Sequence, residues 1–321
     1  MRIATFNLEN LDSGNTRPPI ETRIEILRPQ LQRIDADVLC LQEVHAQGPS
    51  GNRTLDALDQ LIAQTQYANG YHRATTSTVA GGLYRYRNLV TLSRLPIRDM
   101  RIFRDTDGPR PSYQPATAVT PDPTPIITWE RPILHTELEL DTGESLHVLN
   151  LHMKSKMPSF INGQVNNSVW TTRSAWAEGS FLSSMKRVGQ AIQTRLLVDE
   201  LFDAHGASTH IVVVGDFNAE AREVPVKAIC GHIEETANPD HAPRVLIPCE
   251  NNIPDSARYS LFHLGQGAML DHILASRSMF RFFDHAEIHN EALPDESGAF
   301  RFDTHFPDSD HAPVVAEFSI P

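Results

Sequence analysis

The stretch Ile211-Val-Val-Val-Gly-Asp-Phe-Asn218 decides how the rest of the sequence is interpreted. Its four consecutive branched apolar residues are typical of a strand that is buried on both faces. Gly215 ends that run, and Asp216 and Asn218 follow two residues apart, so an extended backbone directs both side chains to one side. A carboxylate and an amide together at a strand end suit a hard cation or a phosphate ester. The same residues also favour an ordinary turn, and this stretch alone does not choose between the two interpretations.

The overall composition is that of a globular protein, with 321 residues of which 40% are hydrophobic and 21% charged. Lys and Arg total 28 against 40 for Asp and Glu, which gives a net charge of −12. That balance disfavours a dedicated high-affinity binder of long nucleic acid, whose surface would be basic. It leaves phosphodiester chemistry open, because an enzyme can meet phosphate through a metal held by clustered carboxylates.

The three cysteines are too few for a disulfide framework. Cys40 lies in an apolar run and is expected to be a small buried hydrophobe, whereas Cys230 and Cys249 flank a loop and could pair in an oxidising compartment. Residues 2–6 read as a core strand and not as a signal peptide, and no apolar run approaches the ~20 residues of a membrane helix. We expect a cytoplasmic protein, or a secreted or periplasmic one if a leader has been removed.

Apolar periodicity predicts a chain of alternating strands and helices. Strands are predicted at 3–8, 38–41, 133–140, 145–151, 269–275 and 314–320, with two more between 75 and 95. Helices are predicted at 21–34, at 55–62, and at 183–204, where Met185, Val188, Ile192 and Leu196 recur at helical spacing. Polar or proline-rich stretches near 105–125, 155–181 and 231–260 are expected to be loop insertions. Since no break resembles a linker, we expect a single domain over residues 1–321.

Oxygen-bearing or imidazole side chains stand at the end of each predicted core strand. They are Asn7, Glu43, Asn150 with His152, Asp216 with Asn218, Asp271, and Asp310 with His311. Hard divalent cations prefer oxygen ligands, with water and substrate phosphate completing the octahedron. The pattern therefore predicts a Mg²⁺ or Mn²⁺ site at one edge of a sheet.

Six of these motifs occur in the order found in a known family. They are Thr5-Phe-Asn-Leu-Glu-Asn10, Leu41-Gln-Glu-Val44, Leu149-Asn-Leu-His152, Gly215-Asp-Phe-Asn218, Leu270-Asp-His-Ile273 and Ser309-Asp-His-Ala-Pro313. The sequence resembles the endonuclease/exonuclease/phosphatase superfamily of pancreatic-type DNases, apurinic endonucleases, sphingomyelinases and inositol phosphatases. Leu151-His-Met-Lys-Ser-Lys156 and Arg131-Pro132 are most similar to its bacterial extracellular-nuclease branch. The three predicted insertions lie outside the resemblance.

The resemblance implies a DNase I-like fold of the α/β class, which is a four-layered αββα sandwich of two mixed β-sheets flanked by helices. The site would lie at one edge of that sandwich. Glu43 would be the principal metal ligand, with Asn7 beside it. Asp310 would supply a second metal position or pair with His311.

The resemblance also implies catalytic roles. Asp216 would orient or deprotonate the attacking water, and Asn218 would hold a phosphate oxygen. His311 would contact the scissile phosphate, and Asp271 would fix its tautomer and orientation. His152 matches the second histidine of the DNase and sphingomyelinase members, which makes it a candidate for protonating the leaving group.

Three residues near these motifs are expected to bind substrate, namely Arg131, Asn150 and Lys154. A surface charge is the alternative interpretation of Arg131. The segment Tyr84-Arg-Tyr-Arg87 interleaves rings and cations, as nucleic-acid surfaces do, although an edge strand with solvated arginines fits it equally.

These observations lead us to expect a divalent-metal-dependent phosphodiester hydrolase that uses Mg²⁺ or Mn²⁺, with Ca²⁺ able to bind. The expected activity is that of a nuclease of low sequence specificity, with nucleic acid as substrate. One alternative is a phosphoesterase acting on a small phosphorylated molecule or a lipid headgroup. Another is a catalytically inactive binding module, against which the complete set of site residues argues. No membrane span and no obligate protein partner are expected.

Overall fold

The computed structural model describes residues 1–14, 18–121, 125–129, 131–298 and 305–320. In chain order the strands are β1 (Arg2–Leu11), β2 (Val38–Val44), β3 (His72–Thr75), β4 (Asn88–Ser93), β5 (Ile97–Phe103), β6 (Ile133–Glu139), β7 (Ser145–His152), β8 (Val165–Asn166), β9 (Val169–Trp170), β10 (His210–Asp216), β11 (Leu246–Pro248), β12 (Leu261–His263), β13 (Gln266–Ala268), β14 (Asp271–Ser276), β15 (Phe283–Ile288) and β16 (Val314–Phe318). The α-helices are α1 (Ile20–Ile34), α2 (Asp56–Ile62), α3 (Arg173–His205), α4 (Val224–Cys230), α5 (Ile233–Thr236) and α6 (Arg277–Phe280). Across the described ranges, no helix is both long and apolar enough to span a membrane.

Two mixed six-stranded sheets form the centre of the molecule. The first has the order β15-β16-β1-β2-β4-β3, and the second has the order β11-β14-β10-β7-β6-β5. One apolar layer lies between the sheets, and two more lie under helices α1 and α2 and under helices α3 and α4. The predicted sandwich of two mixed sheets flanked by helices is therefore confirmed.

The strand pairing brings several chain ends to one edge of the sandwich. β1 runs parallel to β2, and β7 runs parallel to β10, so the carboxyl ends of each pair meet. β14 is antiparallel to β10, which places its first residue, Asp271, opposite Asp216. Most of the polar strand ends that the sequence singles out thus reach the same edge.

Residues 211–216 lie in β10, as expected, and every residue of that strand is buried, as are Phe217 and Asn218 after it. Gly215 has φ 139°, and a Cβ there would collide with the carbonyl oxygen of Leu151 on the neighbouring strand. The strands predicted at 133–140 and 145–151 are also confirmed, as β6 and β7, which pair antiparallel. All three cysteines are buried and free, so Cys230 and Cys249 do not form a disulfide in this structure.

The helix predicted at 183–204 is present as α3 but begins about ten residues earlier, and most of its periodic apolar residues lie on its exposed side. α3 begins at Arg173, where the Thr172 hydroxyl accepts a hydrogen bond from the Ala175 N–H, so its first turns occupy part of the predicted 155–181 insertion. From Ala175 to Thr194 its buried face is mainly small and polar and packs closely on neighbouring loops, whereas Leu197, Val198, Leu201 and Phe202 join the apolar layer under α3 and α4. A Cβ at Gly189, for example, would lie 2.6 Å from the Trp129 ring.

Other elements were not expected from the sequence. The edge strand β5 is mostly exposed, and neither of its faces is consistently apolar. Its sequence therefore shows no apolar periodicity. The predicted 231–260 loop contains α5 and β11, and the first strand predicted after residue 75 instead lies at His72–Thr75. The 105–125 segment is irregular apart from a 3-10 turn at Asp105–Asp107, while residues 122–124 lie outside the described ranges.

Candidate active site

The candidate site joins the two sheets. Asn7, on β1, donates a hydrogen bond from Nδ2 to Oδ2 of Asp216, on β10, over 3.0 Å. Both side chains are almost fully buried. The link holds an amide of one sheet against a carboxylate of the other at the edge where the parallel strands end.

Asp216 and Asn218 are held together by the turn between them. Asp216 accepts hydrogen bonds from the backbone N–H of Asn218 at 2.8 Å and from its Nδ2 at 3.0 Å. Asn218 has φ 48°, a left-handed conformation that asparagine tolerates better than most residues. The sequence left open whether this stretch forms an ordinary turn or a functional site. The structure contains the turn, and the turn places both side chains at the candidate site.

Burial raises the pKa of Asp216 to about 7, and the nearby Asp271 adds to the rise while His311 opposes it. The carboxyl group is therefore a stronger base than an exposed aspartate. A base of this strength is partly ionised and partly protonated near neutral pH.

Asp271 and His311 form a buried pair. Nδ1 of His311 lies 2.6 Å from Oδ2 of Asp271, and Nε2 of His311 points towards Asp216, 3.9 Å from its Oδ2. Burial opposes the charged imidazole, but Asp271, Asp216 and Asp310 together raise the pKa of His311 well above its ordinary value. The arrangement keeps His311 protonated, with one N–H facing the site.

The surroundings of His152 shift its pKa in the opposite direction to that of His311. Its Nε2 lies 3.4 Å from Oε1 of Glu43 and 3.3 Å from Oδ2 of Asp216. Burial, reinforced by Arg131 and Arg87, lowers the pKa of His152 well below its ordinary value. Its resting form is therefore the neutral imidazole, and its Nδ1 is buried with no hydrogen-bond partner in the described structure.

Glu43 sits in a strained backbone conformation at the end of β2. Its φ is 59°, which is uncommon for glutamate and is found where surrounding structure enforces it, often at functional sites. Oε2 accepts the backbone N–H of Asn10 at 2.9 Å, and Oε1 lies 3.7 Å from Nε of Arg87. This leaves Oε1 directed into the site beside His152.

Glu9 belongs to this acidic group although the sequence did not single it out. Its Oε2 accepts the backbone N–H of Asp310 at 3.1 Å. Burial and repulsion from Asp310 raise the pKa of Glu9 to about 8. Burial also raises the pKa of Asp310 to about 6, with Glu43 adding repulsion and His311 opposing. Glu9 lies within the first motif, two residues after Asn7, and that position was the available signal.

Arg23 of α1 was also missed. Its guanidinium donates to the carbonyl oxygens of Leu8 at 2.8 Å and Glu9 at 2.9 Å, and to that of Pro307 at 3.3 Å. It therefore ties the end of β1 to the segment that leads to Asp310. A buried arginine on a helix gives no sequence signal for such a role.

The donor set fits a hard divalent cation. Oε1 of Glu43 and Oδ2 of Asp216 come from different sheets, yet both lie within 3.4 Å of one atom, Nε2 of His152. Burial is the main cause of the raised pKa values of Glu9 and Asp310, and repulsion from neighbouring carboxylates adds to it; a bound cation would relieve that repulsion. Asp216, Asp271 and His311 also cluster, but the short Asp271–His311 hydrogen bond occupies those atoms, and we interpret it as a carboxylate–imidazole pair.

A cationic pocket of about 590 Å³ opens next to the site. Its lining residues are Asn10, His45, Tyr84, Tyr86, Arg87, Arg131, Pro132, Lys154 and Ser155. Two of the three residues expected to bind substrate, Arg131 and Lys154, are therefore here, together with the Tyr84–Arg87 segment. The rings of His45 and Tyr86 meet edge to face with centroids 5.1 Å apart, which gives the pocket an aromatic wall.

Residues on the buried face of α3 position the backbone of the cationic pocket. Gln190 accepts the backbone N–H of Lys154 at 2.7 Å and donates to the carbonyl oxygen of Arg131 at 3.3 Å. Arg187 donates to the carbonyl oxygens of Lys154 and Ser155, each at 3.0 Å. The polar residues on the core side of α3 thus hold the pocket backbone.

The structure does not bring Asn150, which was expected to bind substrate, to the pocket. Asn150 is completely buried between the sheets, where its Nδ2 donates to the carbonyl oxygens of Val90 at 3.1 Å and Leu41 at 3.4 Å. Its Oδ1 accepts from Nε2 of Gln42 at 2.8 Å. The alternation of side chains along β7 sends Asn150 into the layer between the sheets, and its hydrogen bonds join the two sheets there.

The sequence pattern of the Endonuclease/Exonuclease/phosphatase family matches residues 4–311, and the chain belongs to this family. Members of the family hydrolyse phosphodiester or phosphate ester bonds and generally depend on a divalent metal. A comparison with curated protein sequences found no match.

Solved structures of this fold are similar over the whole chain. A mannosyl-6-phosphatase of Bacteroides thetaiotaomicron VPI-5482 has a TM-score of 0.60 at 17% identity, with 100% of both chains covered. A 3′ phosphatase from Neisseria, solved with a product DNA hairpin, has a TM-score of 0.54 at 18% identity, again with 100% of both chains covered. An AP endonuclease from Archaeoglobus fulgidus has a TM-score of 0.54 at 15% identity and the same coverage. At these identities the likeness shows the fold alone.

Proposed function

We propose that the chain is a Mg²⁺- or Mn²⁺-dependent phosphodiester hydrolase, and that it acts as a nuclease of low sequence specificity. The observation that carries this proposal is the convergence of Glu43 and Asp216 from opposite sheets beside the Asp271–His311 pair. Carboxylates for a cation, a basic carboxylate and a protonated imidazole are what phosphodiester hydrolysis needs at one place.

Glu43 would hold the metal, with Asn7 next to it and Asp310 as a second position, which leaves Asp216 to act on the water. A Mg²⁺ or Mn²⁺ ion bound there supplies charge neutralisation on the phosphoryl oxygens and lowers the pKa of bound water. Asp216, whose pKa is raised by burial, accepts the proton of the attacking water. Because both Nδ2 hydrogens of Asn218 are used by Asp216 and by the carbonyl oxygen of Met153, its first role is to position Asp216.

We assign the proton donor for the leaving oxygen to His311. Its imidazole is charged, and Nε2 faces the site while Asp271 holds Nδ1. His152, for which the sequence suggested this role, is neutral at rest, so it has no proton of suitable acidity to give. His152 instead stands between Glu43 and Asp216, where its Nε2–H can donate to either carboxylate.

The cationic pocket supports a substrate with phosphate on more than one side of the scissile bond. Arg87, Arg131 and Lys154 line it, and the aromatic wall of His45 and Tyr86 offers rings on which a base could stack. A phosphoester of a small molecule is the second candidate, favoured by the net charge of −12, which weakens attraction to a long polyanion.

Hydrolysis of plasmid DNA, bis-p-nitrophenyl phosphate and p-nitrophenyl phosphate should be compared with Mg²⁺ present, using Asp216→Asn as the inactive control. Mg²⁺-dependent nicking of plasmid that weakens steeply with salt supports the nuclease, because its binding releases counterions. Cleavage of the small esters alone moves the assignment to the small-molecule phosphoesterase. Equal rates for the wild type and Asp216→Asn contradict the site itself.

A further inference from the structure

A buried ion pair lies on the opposite face of β14 from the candidate site. Nδ1 of His272 lies 2.5 Å from Oε1 of Glu250, and both side chains are almost completely buried. Glu250 belongs to a short 3-10 turn, Cys249–Asn252, and its Oε2 accepts the backbone N–H of Ile273 at 3.5 Å. Because side chains alternate along a strand, His272 is directed away from the face on which the adjacent Asp271 meets the site. The pair therefore has no contact with the reacting groups.

The second nitrogen of the same ring holds the backbone just beyond the turn of Asp216 and Asn218. Nε2 of His272 lies 2.8 Å from the carbonyl oxygen of Ala219. A carbonyl oxygen can only accept a hydrogen bond, so Nε2 carries a hydrogen, and the carboxylate of Glu250 keeps a second hydrogen on Nδ1. Burial opposes the charge, but Glu250 and the Ala219 carbonyl raise the pKa of His272 above its ordinary value. The imidazolium thus joins Glu250 to the backbone of the turn.

The turn needs such support because its backbone is strained. Asn218 has φ 48°, and in this conformation its N–H and its Nδ2 reach the carboxylate of Asp216. A left-handed residue other than glycine persists where the surrounding structure enforces it. The Phe217 N–H donates to the carbonyl oxygen of Leu270 at 2.9 Å, and the Phe217 ring meets that of His272 edge to face, with centroids 5.1 Å apart. The start of β14 therefore contacts the turn on both sides of Asn218.

We propose that His272 is a positioning residue for hydrolysis at this site, and that Glu250 orients its ring. By fixing the carbonyl of Ala219, His272 keeps the turn in the conformation in which Asn218 holds the carboxylate of Asp216. An apolar pair of similar volume is often at least as stable as a buried ion pair, so stability alone does not account for these two charges. What they add is a defined position for one backbone oxygen. This role rests on the proposed function, in which Asp216 is the base.

Two double variants test the role, and neither leaves a buried charge without its partner. The donor-free variant, His272→Phe with Glu250→Met, keeps similar volumes but removes the donor to Ala219. The donor-retaining variant, His272→Gln with Glu250→Gln, keeps an N–H there in an uncharged pair. The donor-free variant should lower kcat for bis-p-nitrophenyl phosphate at least about tenfold and leave KM within about twofold, because displaced catalytic groups lose rate more than binding. The donor-retaining variant should keep most of the wild-type kcat.

A matched control comes from the other end of β10. His210 is also a buried histidine, and its Nε2 lies 3.5 Å from Oε2 of Glu144, far along the strand from Asp216. His210→Phe should leave kcat unchanged. A loss of kcat that His210→Phe shares with the donor-free variant would assign the effect to general loss of core packing and overturn the positioning role.

Amide hydrogen exchange followed by NMR tests the turn without an assay of activity. The Asn218 N–H, which donates to Oδ1 of Asp216 at 2.8 Å, should exchange in the wild type only when the whole chain unfolds. In the donor-free variant it should exchange at least about tenfold faster than the Val213 amide in the middle of β10, because the turn opens locally. Circular dichroism confirms that each variant is folded.

The two measurements separate this proposal from the proposed function. A wild-type Asn218 amide that exchanges as fast as an exposed loop amide overturns the positioning role, even if neither double variant folds. Unchanged exchange in the donor-free variant overturns it too, as does a donor-free variant with the wild-type kcat. If the wild type hydrolyses no ester, the proposed function fails, and faster exchange of Asn218 in the donor-free variant still supports the hold of His272 on the turn.

Discussion

The imidazole of His311 is held between two carboxyl groups, with its Nδ1 2.6 Å from Asp271 and its Nε2 3.9 Å from Asp216. These contacts come from β14 and β10, which are adjacent and antiparallel, while His311 itself precedes β16 of the other sheet. The pair therefore spans the sandwich, and the orientation of His311 depends on how the two sheets pack.

Asp271→Asn should lower kcat by roughly 10²-fold or more, because general acid–base groups are typically worth 10²–10⁴-fold. The amide keeps the hydrogen-bond geometry but removes the negative charge that, against the effect of burial, raises the pKa of His311. The charged fraction of His311 should then fall at neutral pH, and the remaining activity should move to lower pH. The measurements are the pH profile of kcat and an NMR titration of His311. Asp99→Asn, an exposed aspartate, is the control, and an unchanged His311 titration would contradict the assignment.

EDTA should abolish activity, and Mg²⁺ or Mn²⁺ should restore it, whereas Ca²⁺ should support it poorly because its coordination is longer and looser. Glu43→Gln should weaken Mn²⁺ binding at least about tenfold, since even supporting residues of metal sites contribute that much. Calorimetric titration with Mn²⁺ gives this result without an assay of activity. Glu25→Gln makes the same change on the exposed face of α1 and should bind Mn²⁺ normally. Equal affinities for the two variants would remove Glu43 from the metal site.

The sequence predicted the site through residues that stand at the ends of buried strands. Asp216 and Glu43 each follow an apolar run. Parallel pairing brings the end of β2 beside that of β1 and the end of β10 beside that of β7, and the packing of the two sheets then brings these two groups together. The role of Glu9 depends on Asp310, about 300 residues away in the chain, and no local pattern encodes that contact.

The sequence failed where the tertiary context decides which face of an element is buried. Val188 and Ile192 recur at helical spacing, but Trp129 packs against Gly189 on another side of α3, and a periodic apolar pattern alone does not show whether its face is covered. Asn150 was expected to bind substrate because it stands near His152 at a strand end. It precedes His152 by two residues, so the two side chains share one face of β7. Whether Asn150 is covered then depends on how the other sheet packs on that face.

Asn150→Ala should reduce the free energy of unfolding by about 1–3 kcal/mol and leave KM unchanged, because it removes the buried hydrogen bonds that Asn150 makes to Gln42 and to the backbone of the opposite sheet. Urea unfolding and steady-state kinetics separate the two effects. Asn166→Ala, in an exposed short strand, is the matched control and should change neither. A large rise in KM with normal stability would return Asn150 to the substrate-binding group.

The stability of the protein should fall in mild acid through His135. Nε2 of His135 lies 3.0 Å from Nδ1 of His147, and its own Nδ1 is buried without a hydrogen-bond partner in the described structure. Burial, with repulsion from His147, lowers the pKa of His135 from 6.5 to about 4. Below pH 6.5 His135 is protonated in the unfolded chain but stays neutral in the folded chain, so stability is lost progressively between pH 6.5 and pH 4. The loss at pH 4 is on the order of 3 kcal/mol.

His135→Phe should remove this part of the pH dependence in urea unfolding measured at pH 7 and pH 5, whatever its effect at pH 7. His72→Phe, at an exposed site, should keep the wild-type slope, and a slope that His135→Phe leaves unaltered would assign the acid sensitivity to other groups.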